Sequence, residues 1–333
     1  MLNPAYKLTL GTQQVDSTDE PRASTLVDLV VRLDMEVAAD QYKLKLGNVG
    51  FLTPAREDRG KIELGYAGAE SGLSQVMVGN VETVQQGSTI DVIHGYTSAA
   101  ILLRSFTNKT YESMSAGQIV QDLAQQAGVT VERAEPGIQF PAYVIDDRAS
   151  FYHHMRDLAD LCGFDVYFNN DDKLVFRRYT GGQVHVFDHA KHIIELRVEY
   201  NTAPASQVKA FGESGSGNGT ESWAWLTKDF SALAGRAGNG DPLMLLERSA
   251  LRTGNAAQTA ADGLNTALQR RQIRGSLLSV GRPQIKLGDA VRLNGLPEQP
   301  LNQTYQVRGL LHRMTKQLGF TTRVNFQSVT VNP

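Results

Sequence analysis

The sequence predicts an α+β fold, mainly β. Three observations carry that expectation: period-two alternation at both ends, two capped amphipathic helices in the middle, and turn-forming residues between the repeats. In VDLVVRLDM, Val27, Leu29, Val31, Leu33 and Met35 fall on one side, with Asp28, Arg32 and Asp34 on the other. YKLKL (42–46), GKIELGY (60–66) and STIDVIHGY (88–96) repeat the pattern. Such alternation belongs to sheets with one packed and one wet face. Gly47-Asn48, Arg59-Gly60 and Gln86-Gly87 read as turns between the strands. Short strands in series without helices point to a sandwich or barrel.

The middle has a different period. Ser115 and Gln118 have capping-box spacing, and Ile119, Val120, Leu123 and Ala127 then share a helical face that Gly128 closes. A second helix follows, with Phe151, Met155, Leu158 and Cys162 on one face and Gly163 as its stop. DLAQQAGVTV and DLADLCGFDV share one form: Asp-Leu-Ala, three residues, Gly, an apolar residue, one more residue, Val. Two helix-then-strand units packed side by side are therefore expected. The second runs into a hairpin turning at Asn169-Asn170-Asp171-Asp172.

Strands return in the last third. IIELRVEY sets Ile194, Leu196, Val198 and Tyr200 against Glu195, Arg197 and Glu199. A Gly/Ser-rich loop (212–222) follows, with Trp223 and Trp225 expected to anchor its return. A helix over 256–271 carries Ala257, Ala260, Ala261, Leu264, Ala267 and Leu268 on one side, small enough to let it approach a sheet closely. GDAVRLNG, TYQVRGLLHRM and GFTTRVNF supply the closing strands, the last two joined by a turn near Lys316–Gly319.

Composition limits the function. The 333 residues are enough for two or three domains, and 33 basic side chains against 35 acidic ones give no electrostatic case for gripping nucleic acid. No stretch reaches the ~20 apolar residues of a membrane span, and the first residues lack a signal-peptide pattern. A soluble product made in the cytoplasm is expected. One cysteine excludes an intrachain disulfide and a multi-thiolate zinc site.

Each chemical candidate has a plainer structural reading. Cys162 stands where the first helical copy has Ala127, so it reads as a small packed residue at a helix end rather than a nucleophile. His185, His189 and His192 would share a face if VHVFDHAKHI were helical, a spacing open to metal ligation. Val184, Val186, Phe187 and Ile193 look like strand ends there instead. Whether these histidines bind a metal stays open. His153 and His154 are adjacent and diverge on a helix. GSGNG (215–219) and GRAGNG (235–240) lack the phosphate-loop order and read as flexible loops, while Asp146-Asp147 and Asp171-Asp172 read as turn formers. No catalytic, cofactor-binding or metal site is expected. The chain is not expected to be an enzyme or to need a cofactor.

Five stretches, taken in order, resemble the phage tail baseplate hub family (late control protein D-like) and the hub portion of VgrG spikes. They are QVMVGNVETVQQGSTIDVIHGYTSA (75–99), SFTNKTYESMSAGQIVQDLAQQAGV (105–129), SFYHHMRDLADLCGFDVYFNNDDKLVFR (150–177), KLGDAVRLNG (286–295) and TYQVRGLLHRMTKQLGFTTRVNF (304–326). The resemblance implies two tail-tube-like β-barrel domains with α/β inserts between them. The first barrel would span 1–105, the insert of two helix-strand units 106–190, and the second barrel 191–333. A faint echo between GKIELGYAG and GDAVRLNG accords with paired barrels.

The implied role is mechanical: a homotrimer with pseudo-sixfold symmetry that adapts a hexameric tail tube to a trimeric spike, in a contractile tail, an R-type bacteriocin or a related injection particle. The implied partners are further copies of itself, the spike, the tube, and baseplate wedge and tape-measure proteins, without membrane insertion or specific nucleic-acid binding. The place would be the baseplate of a virion or tail-like particle assembled in the bacterial cytoplasm. Because the chain ends just after its last strand, the spike is expected to be a separate polypeptide. The alternatives are a tail-associated peptidoglycan hydrolase and another adaptor, such as a distal tail or tube-terminator protein.

Overall fold

The computed structural model describes residues 3–18, 26–47, 54–69, 72–212 and 233–329. The Gly/Ser loop from residue 213 on, Trp223, Trp225, GSGNG and Asn48 lie outside the described residues. The first stretch forms β1 (Pro4–Leu10), β2 (Gln13–Asp16), β3 (Leu26–Asp34), β4 (Gln41–Gly47), β5 (Arg59–Tyr66), β6 (Leu73–Gln85) and β7 (Ile90–Tyr96). The middle forms α1 (Ala99–Leu103), β8 (Lys109–Ser115), α2 (Ala116–Gln126), β9 (Val131–Ala134), β10 (Gln139–Ile145), α3 (Phe151–Cys162), β11 (Asp165–Phe168) and β12 (Leu174–Arg177). The remainder begins with β13 (Val184–Asp188), α4 (His189–His192), β14 (Glu195–Tyr200), β15 (Gln207–Phe211), β16 (Gly235–Gly238) and β17 (Leu243–Glu247). It closes with α5 (Gly254–Arg270), β18 (Ile273–Val280), β19 (Ala290–Asn294), β20 (Thr304–Thr315) and β21 (Gly319–Ser328). The fold is mainly β, with the helices in the middle, the single turn of α4, and α5.

Strands from both ends of the chain share one 13-stranded sheet. Its path runs β14-β18-β21-β20-β3-β4-β7-β6-β5-β1-β2, and β19 carries β13 as a side branch from β20. The centre is the antiparallel pair β3–β20, in register from Asp28↔Thr315 to Asp34↔Gly309. That pairing splices two sets of strands into one path that ends, among the described residues, at β14 and β2. Among the described residues the strands form no closed barrel.

Within β3 the alternation holds at Leu29, Val31 and Leu33, which are buried, as is Met35 just beyond the strand. A register shift between Leu26 and Asp28 puts Leu26 inside in place of Val27, because one extra residue exchanges the two faces. Arg59-Gly60 is not a turn but the start of β5. A Cβ on Gly60 would lie 2.4 Å from the Tyr42 hydroxyl, and one on Gly95 2.2 Å from the same ring, so two glycines make room for a buried tyrosine. In β14 the predicted apolar side is only half covered, with Ile194 and Tyr200 exposed. Among the described residues the strand is terminal and pairs with β18 alone.

The middle follows the repeat read from the sequence and extends it. Ser115 caps α2 in a full capping box, and Gly163 ends α3 in the left-handed region at φ 64°. The repeated unit proves to be strand-helix-strand: β8-α2-β9 and β10-α3-β11. Tyr111 and Tyr143 face each other across the β8–β10 ladder. Tyr111 donates to Asp122 at 2.6 Å and Tyr143 to Asp157 at 3.4 Å, the two aspartates being the first residue of the shared Asp-Leu-Ala. β9 and β11 flank β12 in one small sheet, and the 169–172 turn joins β11 to β12 as expected.

Two hydrophobic cores result. One lies under the large sheet and draws on both of its halves. The other joins α1, α2 and α3 to α5 and the sheet β16-β15-β17. GRAG (235–238) is strand β16 rather than loop. A Cβ on Gly235 would meet the Ala257 carbonyl at 2.2 Å, so this strand lies directly against the backbone of α5. The alanine face of α5 permits that approach: Ala256, Ala257, Ala260 and Ala261 are all buried. On another side Gly263 meets Gly163 backbone to backbone, and a Cβ on either would come within 2.7 Å of the other residue.

Candidate functional site

The seam between the sheet halves and the middle unit carries the densest charge network among the described residues. Glu36 lies just after β3, Arg308 on β20, Arg156 on α3 and Asp165 on β11. Arg308 bridges two carboxylates, reaching Glu36 at 2.6 Å and making a second contact to Asp165. Arg156 pairs with Glu36 at 3.3 Å and donates to the Met35 carbonyl at 2.5 Å. Gln306 donates to Asp165 at 2.7 Å. One arginine therefore ties together the first half, the second half and the middle.

Electrostatics at the seam follow from that geometry. Burial opposes the Glu36 charge, but Arg308 and Arg156 outweigh it and hold the carboxyl below its ordinary range. Burial likewise opposes the charge of Arg308, and Asp165 with Glu36 raises its proton affinity in spite of it. Asp160, also paired with Arg156, is shifted upward because burial dominates there. A cleft of about 260 Å³ opens beside the network, lined by residues of α3, α5 and β20.

A second contact fastens the 169–172 turn to the first half of the sheet. Asp172 is buried and accepts from the Ser98 backbone N–H and hydroxyl, both at 2.6 Å, and from Arg59 at 3.3 Å. Burial still moves its carboxyl upward. Gln75 donates to Asp171 at 2.6 Å, and Asn170 donates to the Gln75 carbonyl at 3.0 Å. The pair read as a turn former does form the turn, and it also docks it.

Other candidates resolve into structural roles. Cys162 is buried, accepts from the Ile138 N–H at 3.3 Å, and burial pushes its thiol up to about 11. A thiol so protonated is no nucleophile at neutral pH. His185 sits on β13 and meets Asp289 at 2.9 Å. His189 and His192 form one helical turn, α4, which the sequence reading had left non-helical, and the Asp188 N–H donates to His192 at 3.1 Å. The strand-to-helix change parts His185 from the other two, and no three metal-ligating side chains cluster among the described residues. His153 contacts the Ser150 hydroxyl at 2.8 Å, and His154 donates to the Asp146 carbonyl at 2.9 Å.

Two buried polar groups had no signature of their own. His312 on β20 is fully buried, touches the Thr322 hydroxyl at 3.0 Å, and burial pushes it down to about 4. Asp40, between β3 and β4, accepts from the Asp34 N–H at 2.7 Å, and burial without a cation raises it well above the carboxylate range. The clamp residues were also unmarked, although a comparison of the two repeats bears on Asp165: it replaces Thr130, putting a charge where the first copy is neutral.

No family model and no curated relative matches the chain in sequence. Its fold is similar to that of solved tail proteins. The prophage MuSo2 43 kDa tail protein from Shewanella oneidensis superposes with a TM-score of 0.71 at 11% identity, covering 98% of both chains. A tail protein from Neisseria meningitidis gives 0.71 at 13% identity, over 98% of this chain and 96% of that one. The E. coli c3393 protein, a component of the type VI secretion system, gives 0.61 at 10% identity, over 97% of this chain and 77% of that one. At such identities the likeness is one of fold, and it extends over nearly the whole chain. The chain has the fold of phage tail proteins and of their type VI secretion relatives, in agreement with the hub-family resemblance of its sequence.

Proposed function

We propose that the chain is a structural baseplate hub of a contractile tail or injection particle, not an enzyme. Three copies close a ring whose pseudo-sixfold face adapts the hexameric tail tube to a trimeric spike. The observation that carries this reading is the splice at β3–β20, where strands from the two ends of one chain continue each other in a single sheet. Residues 1–105 and 191–333 are read as two tube-like blocks, and 106–190 as the insert between them. Each block would complete its barrel against a neighbouring copy, because among the described residues β2 and β14 have no partner at their outer edges.

The exposed apolar side chains of the second half support such contacts. Val184 and Val186 on β13, Ile194 before β14 and Tyr200 at its end all lie open to solvent. Closing a ring requires a head-to-tail contact between different surfaces of successive copies. Spike, tube, wedge and tape-measure proteins are the proposed partners, and a tail-like particle is the proposed location.

Multi-angle light scattering at assembly concentration tests the reading. A species of three times 36.4 kDa is expected, and a monodisperse monomer overturns it. Clearing of purified cell wall in a zymogram would instead favour a peptidoglycan hydrolase. A twelve-membered or sixfold ring would point to a different tail adaptor.

A further inference from the structure

The chain as a whole carries 33 basic and 35 acidic side chains, yet its charge is unevenly spread over the large sheet. The ladder registers carry one wet face across the splice. Arg323, Leu311, Arg32 and Gln41 are successive partners from β21 to β4, and so are Thr321, Arg313, Val30 and Lys43. Lys45 lies two residues from Lys43 on the same face and pairs with Asp28 in the ladder. Arg313 and Arg323 are compensated, by Asp28 at 3.4 Å and Glu195 at 2.9 Å. Arg32, Lys43 and Lys45 have no ion-pair partner among the described residues, although the charge of Arg32 acts on Asp34, two residues on along β3.

Lys43 and Lys45 stand about 6.7 Å apart along the strand, and Arg32, opposite Gln41 on the adjoining strand, lies about 8 Å from Lys43 and about 14 Å from Lys45. Lys43 therefore lies within a Debye length of about 10 Å at 0.1 M salt of each of the other two, so their potentials add there. The neighbouring His94 reports that field: burial and the charge of Lys43 both lower its proton affinity.

We propose that this face of β3 and β4, with Arg313 and Arg323 beside it, makes sequence-independent contacts to the phosphate backbone of duplex DNA. Charge complementarity carries the assignment. Lys43 and Lys45, without an ion-pair partner among the described residues, and the arginines beside them suit regularly spaced phosphates, whereas the core of a protein-protein interface is depleted in lysine. The contact is weak and salt-dependent, compatible with movement along the surface. The inference goes beyond the hub reading and does not require the ring.

Fluorescence anisotropy of a short labelled duplex, titrated with the full chain over a salt series, tests it. Binding is expected at low salt and should weaken steeply as salt rises. The variant K43E/K45E should bind about tenfold or more weakly, with a salt slope shallower by about two, one for each lysine. The control R133E/R148E, on the middle unit, should bind as the parent does. Absence of binding at low salt overturns the proposal, and so does an equal loss in the control. Displacement of DNA by polyglutamate at equal charge concentration also overturns it, assigning the face to an acidic protein. Light scattering on the same samples reads the oligomer separately, so failure here leaves the ring untouched.

Discussion

The two halves of the large sheet use the same packing device and bury opposite titrating groups. In the first half the Tyr42 ring occupies the space of absent side chains at Gly60 and Gly95. In the second, Phe320 lies on Gly281, where a Cβ would come within 2.1 Å of the ring, and Phe326 lies on Gly275. The first half buries a carboxylate, Asp40, shifted up by burial, while the second buries His312, shifted down by burial. Steric demands are alike on both sides of the splice, and responses to acid are opposed.

The largest expected effect removes what the halves share. Arg308→Ala leaves Asp165 partly buried without its ion-pair partner and Glu36 with Arg156 alone. It should destabilise the fold by about 3–5 kcal/mol, read as a shift in the urea midpoint. Loss of hydrogen-exchange protection in β3 and β20 together would show that the clamp serves both halves; loss in one alone would break that view.

Acid should separate them. The unfolded chain protonates His312 near 6.5 and the fold only near 4, so its contribution is full above about pH 6.5 and is lost as pH falls toward 4, by about 3 kcal/mol. His312→Leu should flatten the stability profile over that window. Asp40 has the reverse sign: its raised affinity favours the fold at low pH, and that advantage disappears as pH rises through its folded value. Asp40→Asn should therefore stabilise the protein at neutral pH and lose the gain in acid. If both variants change the profile in one direction, the contrast between the halves fails.

Gly95→Ala and Gly281→Ala sharpen the similarity. Each places a methyl inside an aromatic ring's space, and each should cost about 1–3 kcal/mol in thermal or urea unfolding. A large cost for one and none for the other would show that the rings are not held equivalently. Tyr42→Phe is the smallest change expected: its buried hydroxyl has no hydrogen-bond partner among the described residues, so removal should be neutral or stabilising by about 1 kcal/mol.

Local signals made the middle of the molecule readable. Ser115 with Gln118, the stops at Gly128 and Gly163, and the alternation in β3 and β4 each act within a few residues. The turn at 169–172 was visible for the same reason. What the pattern missed depends on distant partners. Gly60 and Gly235 resemble turn and loop residues until Tyr42 and α5 are beside them, and then a side chain has no room. Asp172 is a turn aspartate by composition and a docking residue only because Ser98 and Arg59 reach it. Near-neutral total charge hid Lys43 and Lys45, which have no ion-pair partner among the described residues, since compensation is a matter of which strands adjoin.

The β3–β20 ladder also constrains biosynthesis. On the edge of β3 away from β4, residues 28–34 meet their partners among residues 309–315. A ribosome must therefore deliver nearly the whole polypeptide before that margin of β3 is satisfied, and contacts of such long sequence separation form slowly. Until then an apolar strand with unclaimed amides waits in the nascent chain, open to mispairing with other copies. Shielding during translation is thus a requirement of the topology itself.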